Sequence, residues 1–195
     1  MVSSLEVSAR HGNARPSRQE AARCNVDVCR LPACLCASDA APGGVRRDQL
    51  PQIVTFTFDD AVNAEMFGYY ERMFPPNRTN PNGCPVSATF FVSHQWTDYS
   101  LVKRLYLAGH EIASHSVSHR MPQTWWRNAT YSDLRRELNG QRHQLTRVAA
   151  VPPGELRGLR VPFLEVAGNQ QFKVVGLIND TSLHLSIYIF DIFYK

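Results

Sequence analysis

Apolar positions in this chain alternate between short β-branched or aromatic runs and longer stretches with helical spacing. The first run, Ile53-Val54-Thr55-Phe56-Thr57-Phe58, ends in the adjacent carboxylates Asp59 and Asp60 and reads as a buried strand. Val62, Met66, Tyr69, Tyr70 and Met73 then recur on one helical face until Pro75-Pro76 ends the pattern. The dense run from Val86 to Ser93 predicts a second strand. Residues 98–108, with Leu101, Val102 and Leu105 on one side and Gly109 as a stop, predict a helix. Glu111-Ile112-Ala113-Ser114 reads as a third strand. Thr130-Tyr131-Ser132-Asp133 has the form of a capping box ahead of a helix carrying Leu134, Leu138, Leu145 and Val148, closed by Pro152-Pro153. A fourth strand is expected from Leu156 to Val161, another helix from Asn169 to Leu177, and a last strand in the Leu/Ile alternation from Ile178 to Phe190. Strands alternating with helices argue an α/β fold with a parallel sheet and right-handed crossovers. An open helix-flanked sheet and a barrel both satisfy that pattern.

The chain's 195 residues have room for one domain and a modest extension. A net charge of +4, with no Lys/Arg stripe interleaved with aromatics, gives no case for a nucleic-acid partner. No apolar run reaches membrane-spanning length. Residues 1–23 are Ser-, Arg- and Ala-rich, aperiodic, and without an apolar core of signal-peptide length; they read as a disordered N-terminus. Residues 24–50 form a Cys-rich entry segment with turn chemistry at Pro42-Gly43-Gly44. Cys24, Cys29, Cys34 and Cys36 lie there, and Cys84 stands apart. The cluster admits a zinc knot or disulfides; the absence of paired Cys-x-x-Cys knuckles favours disulfides. Acceptor sequons at Asn77, Asn128 and Asn179 fit a secreted protein. The Pro/Asn-rich loop at 75–84 has two readings, a cleft wall or a surface connection. Trp125 and Trp126, expected in a loop, either stack on a sugar or anchor the core, the latter being the commoner use.

The chemistry concentrates at strand ends. In βα units, ligands and catalytic groups gather at the carboxyl ends of the strands, where Asp59 and Asp60 sit. Adjacent carboxylates repel, so at least one needs a cation or a proton. His115-Ser116-Val117-Ser118-His119 follows the third strand. Two imidazoles and one carboxylate make a three-ligand face open to water, the usual form of a catalytic zinc site. Each half has a plainer reading: the Asp pair as a cap or turn, the His pair as a solvated or capping pair. Their joint placement favours metal. Arg160 ends the fourth strand, either as a surface ion-pair partner or as a group on the same rim.

Thr57-Phe58-Asp59-Asp60, His115-Ser116-Val117-Ser118-His119 and Arg160-Val161-Pro162-Phe163, in this order, resemble the first three motifs of the polysaccharide deacetylases, the NodB-homology family. Cys24-Asn25, Leu31-Pro32-Ala33-Cys34-Leu35-Cys36, Asn80-Pro81-Asn82-Gly83-Cys84-Pro85 and Ala88-Thr89-Phe90-Phe91-Val92-Ser93-His94 are similar to arthropod chitin-deacetylase-like proteins. The resemblance covers about residues 24–176. It implies an irregular (β/α) barrel, with residues 51–177 as the N-terminal part of the domain. The implied activity is a metal-dependent hydrolase removing acetyl groups from N-acetylglucosamine polymers such as chitin. Asp60, His115 and His119 would hold a divalent metal, with zinc expected. Asp59 would be the general base and Arg160 its ion-pair partner, keeping it ionised and oriented. The backbone N–H of Phe163 would bind the oxyanion, a role that needs only the amide, so Phe in place of the family's common Tyr is no defect. An extracellular monomer is expected, with paired cysteines and one of the five left over. Residues 178–195 read as an aberrant tail outside the resemblance, and Leu183-His184 is not assigned the family's late acid role. A truncated, slowed enzyme is therefore expected; the alternative is a non-catalytic, chitin-associated binding or matrix protein.

Overall fold

A computed structural model describes residues 24–29, 36, 45–50, 54–165, 170, 171, 173, 174, 186 and 187. The chain divides between residues 52 and 53 into two units. In the first, Asn25 builds a turn in which its side chain accepts from the Asp27 N–H (2.9 Å) and its carbonyl accepts from the Cys29 N–H (2.9 Å). Cys24 and Cys36 form a disulfide, and Cys29 is also disulfide-bonded. These three cysteines therefore have no thiolate for a metal, and the disulfide reading replaces the zinc knot. The expected disorder of residues 1–23 concerns residues outside those described.

Among the described residues the second unit holds a parallel sheet of five strands in sequential order: β1 (Thr57–Asp60), β2 (Thr89–Val92), β3 (Glu111–Ser114), β4 (Gly158–Leu159) and β5 (Ser186–Ile187). Between them lie α1 (Ala64–Met73), α2 (Tyr99–Leu107), α3 (Gln123–Asn128) and α4 (Tyr131–Arg147). The register aligns Asp60 with Val92 and Val92 with Ser114, so β1, β2 and β3 end level with one another. One β2 face sends Phe90 and Val92 into the larger core, with Ile112 from β3 and Val102 and Leu105 from α2. Phe91 and Ala113 face the opposite side, where Ala113 leaves no space for a side chain at Gly158. All four β2 residues are buried, as expected of a strand covered on both faces.

The expected elements shift in several places. β1 begins at Thr57; Val54 and Phe56 are exposed, and β1 is only half-buried because it is an edge strand among those described. Of the predicted stripe Val62 and Tyr70 are buried, and Phe67 joins them, whereas Met66, Tyr69 and Met73 are exposed. Tyr70 packs against Phe58 and Phe90 (ring centroids 5.0 and 4.8 Å), and that aromatic contact sets the rotation of the helix. Trp125 and Trp126 lie on α3 rather than in a loop. Trp126 is fully buried and its indole N–H donates to the Arg120 carbonyl (2.8 Å), so the pair anchors the smaller core. β4 is two residues long, shorter than expected. Gln170, Gln171, Lys173 and Val174 are helical, and Ser186–Ile187 pair with β4; the rest of the predicted last helix and strand lies outside the described residues. The 75–84 loop closes on itself through the Asn80 N–H to Cys84 carbonyl bond (2.8 Å) and is exposed, as a surface connection is.

α4 carries the predicted capping box, Thr130 accepting from the Asp133 N–H (3.2 Å) and Asp133 from the Thr130 N–H (3.1 Å). The helix is tied to the strand ends by two side chains. The Ser114 hydroxyl donates to the Leu138 carbonyl (3.0 Å), and buried Gln141 donates to the Val92 carbonyl (3.0 Å) while accepting from the Tyr99 hydroxyl (3.2 Å). Each bond satisfies a polar group inside the core and fixes the rim on which β2 and β3 end.

Candidate functional site

Asp60 ends β1 with φ +75, a left-handed conformation that an aspartate tolerates better than most residues. Asp60 Oδ1 lies 3.4 Å from His119 Nε2 and 3.7 Å from His115 Nε2. One ligand atom from each of the three residues falls within 4.8 Å of the others. His115 follows β3 directly, and its backbone N–H donates to the Val92 carbonyl (3.0 Å). Its buried ring donates from Nδ1 to the Arg160 carbonyl (2.8 Å), which leaves the Nε2 lone pair facing Asp60. Burial pulls the His115 pKa below the usual imidazole range, with His119 adding to that direction and Asp59, the Arg160 carbonyl and Asp60 opposing it. A neutral imidazole with a free Nε2 is the form that ligates a metal. Together with a carboxylate and a second imidazole, this donor set fits a divalent transition metal.

Asp59 Oδ2 also comes within 4.0 Å of His115 Nε2, but its hydrogen bond goes to a different partner. Arg160 Nη1 donates to its Oδ1 at 2.5 Å, and both terminal nitrogens of Arg160 reach the Thr57 hydroxyl at 3.3 Å. The guanidinium also lies over the Phe91 ring, 4.0 Å from its centroid. Arg160 is thus held from three sides, and its own backbone carbonyl orients His115. One residue serves both halves of the site. Phe163 follows in a short 3-10 turn with φ +60, and its ring meets the His119 ring edge-on at 4.8 Å. All six residues singled out from the sequence, Asp59, Asp60, His115, His119, Arg160 and Phe163, gather at this one rim.

Glu165 and Trp96 are among the features that escaped the sequence reading. Glu165, almost fully buried, accepts from Arg127 (2.7 Å) and Gln123 (2.8 Å) and thereby fastens α3 to the Pro162–Leu164 turn. No motif marks it; only the burial of a charge reveals its importance. Trp96 is 79 % exposed with φ +67, in the segment between β2 and α2. That segment is laced to the residues around Asp60, with the Ser93 N–H donating to the Asp60 carbonyl (3.2 Å) and the Asp98 N–H to the Val62 carbonyl (2.8 Å).

Residues 46–173 match the sequence model of the polysaccharide deacetylase family. Chitin deacetylase 8 of Bombyx mori is 43 % identical over 176 residues, covering 90 % of this chain and 45 % of the relative. Chitin deacetylase 1 of Bombyx mori is 40 % identical over 154 residues, covering 78 % of this chain and 29 % of the relative. The chain therefore spans less than half the length of the curated relatives it matches. Among solved structures, the Bc1960 peptidoglycan N-acetylglucosamine deacetylase in complex with 4-naphthalen-1-yl-N-oxidanyl-benzamide shares the fold, with a TM-score of 0.53 at 20 % identity over 68 % of this chain and 54 % of that one. The α/β sheet is accordingly part of a barrel of this type. Because the family match runs unbroken from ahead of β1 past Phe163, taking in every residue gathered at the rim, the chain belongs to the polysaccharide deacetylase family.

Proposed function

We propose that this chain carries the metal-binding and base-bearing part of a hydrolase that removes acetyl groups from N-acetylglucosamine polymers, with chitin as substrate. The observation that carries this reading is the division of labour between two adjacent carboxylates. Asp60 lies against both imidazoles (3.4 and 3.7 Å), whereas Asp59, although its second oxygen comes within 4.0 Å of His115, is bonded to a guanidinium. Neighbouring carboxylates with different environments take different roles in hydrolytic sites. Asp60, His115 and His119 hold the metal, for which zinc suits the donor set. Such an ion, when bound, polarises an acyl oxygen and makes water more acidic.

The attack on the acyl carbon belongs to the chain's own groups, and the proton that Asp59 takes from water is the one available to the departing amine as the C–N bond breaks. Asp59 accepts a proton from the attacking water, its carboxylate held in direction by Arg160. The Phe163 backbone N–H donates to the oxygen that gains charge as the carbonyl carbon becomes tetrahedral. Asp60 has 64 % of its side chain exposed, which leaves the centre open on the side a polymer would approach. Trp96 offers an exposed apolar face on the same rim, of the kind on which a pyranose ring stacks. The disulfide-bonded cysteines and the exposed sequon residues Asn77 and Asn128 support an extracellular, glycosylated protein.

The test is acetate release from chitin oligomers by the zinc-loaded chain. Asp59→Asn is expected to lower kcat by about 10²–10⁴-fold, the usual contribution of a general base, while zinc binding persists. Bound zinc with no Asp59-dependent acetate release would instead favour a non-catalytic, chitin-associated matrix protein.

A further inference from the structure

Glu137 stands on α4, outside every motif that bears the chemistry, yet it closes the loop between the two imidazoles. Its Oε2 accepts from the backbone N–H of Val117 (3.1 Å) and of Ser118 (2.8 Å), and its Oε1 accepts from the Ser118 hydroxyl (2.8 Å). The loop reaches this arrangement through left-handed backbone at Ser116 (φ +80) and His119 (φ +44), which non-glycine residues adopt only when their surroundings enforce it. Successive amides turned to one side form a concavity that suits an anionic oxygen, and bonds to a charged acceptor are the stronger kind.

The support behind Glu137 is rigid. α4 is fastened to the ends of β3 and β2 by Ser114 and Gln141, and Leu138, the next residue, is fully buried. The two imidazoles differ in how they are steadied. The His115 ring is buried and bonded to the Arg160 carbonyl. The His119 ring is partly exposed and rests against Phe163, and its backbone N–H donates to the Ser116 hydroxyl (3.2 Å). The direction in which His119 points therefore depends on the path of residues 116–118, which Glu137 grips.

We propose that Glu137 is a positioning residue for the metal centre, holding the His115–His119 loop in the conformation that aims His119 at Asp60. This rests on reading Asp60, His115 and His119 as metal ligands. Groups behind the ligands of a metal typically contribute about 10–100-fold to its affinity.

The experiment measures zinc dissociation constants by competition with a chromophoric chelator for the wild type and for Glu137→Ala, Glu137→Asp and Glu137→Gln. It is paired with amide hydrogen exchange on the zinc-free proteins. Glu137→Ala is expected to bind zinc about 10–100-fold more weakly and to lose protection at the Val117 and Ser118 amides specifically. Glu137→Gln keeps an acceptor oxygen for both amides and is expected to stay within about threefold of wild type. If Glu137→Ala does not fold, Glu137→Asp decides, since it keeps the charge but stops one methylene short of the amides; it is expected to lose at least about fivefold. A wild type that binds no zinc overturns the metal-centre reading and this proposal with it. Wild-type binding matched by the Ala and Asp variants overturns the assignment of Glu137 alone.

Discussion

His110 shows how a single side chain couples the core to solution conditions. It is buried, its Nδ1 accepts from the Ala88 N–H (3.2 Å), and its ring meets those of Phe74 and Phe90 edge-on. An acceptor at Nδ1 requires the neutral ring. Burial pushes the pKa of His110 below the usual value, as does the burial of His115. A group whose folded-state pKa is lowered contributes stability that is complete above its unfolded value, about 6.5, and is lost as pH falls through the folded value. Urea midpoints of the zinc-free protein should therefore drop below about pH 6.5. His110→Asn, which keeps an acceptor near the Nδ1 position but does not titrate, should flatten part of that drop; an unchanged pH profile would exclude His110 as its source. Arg160 makes a second case at this scale. Its fork meets Asp59 and Thr57 while its plane lies on Phe91, and lysine reproduces neither the fork nor the stack. Arg160→Lys should lower kcat by about tenfold or more with KM little changed, since Asp59 would lose its direction rather than its substrate contact.

At the scale of elements, β4 sets where Arg160 stands. A Cβ at Gly158 would lie 2.9 Å from the Ala113 Cβ, and neither atom is at the end of a flexible side chain. Gly158→Ala should therefore push β4 off β3, costing about 1–3 kcal/mol and carrying Arg160 away from Asp59. A crystal structure of the variant with the Asp59–Arg160 pair unmoved would contradict this. Thr130→Ala should cost α4 about 1 kcal/mol through loss of the capping box, read as a lower urea midpoint. Both β3 and the α4 box were legible in the sequence, because a strand bounded by Gly109-His110 and a side chain bonded three residues away are local matters. β1 and α1 were less so. Whether Val54 and Phe56 are covered depends on being at a sheet edge, and the rotation of α1 depends on Phe58 and Phe90, residues distant in the chain. The motif residues were readable because strand ends collect chemistry whatever the packing. Glu137 and Glu165 were not, since their partners lie 19 to 42 residues away and no spacing announces them.

For the whole molecule, the proposed metal binding should be linked to folding. Asp60 comes from the end of β1, and His115 and His119 follow β3, so their donor atoms converge only when β1, β2 and β3 are aligned. An unfolded chain cannot present that set, and zinc should bind the folded state selectively. At a free zinc concentration about a hundredfold above Kd, linkage supplies about 2.7 kcal/mol. For a chain of this size that amounts to a rise in Tm of roughly 5–10 °C. The disulfide-bonded cysteines keep the competing site silent, provided no reductant is present: Cys24, Cys29 and Cys36 offer no thiolate. Alkylation without reduction should likewise label the exposed free thiol of Cys84 and spare those three. Scanning calorimetry with zinc and with chelator then isolates the rim. Wild type should show the zinc-dependent rise, and the double variant His115→Ala/His119→Ala should show none while keeping its chelator-treated Tm within a few degrees. A zinc-dependent rise that survives loss of both imidazoles would place the metal elsewhere and remove the basis for the catalytic reading of Asp60.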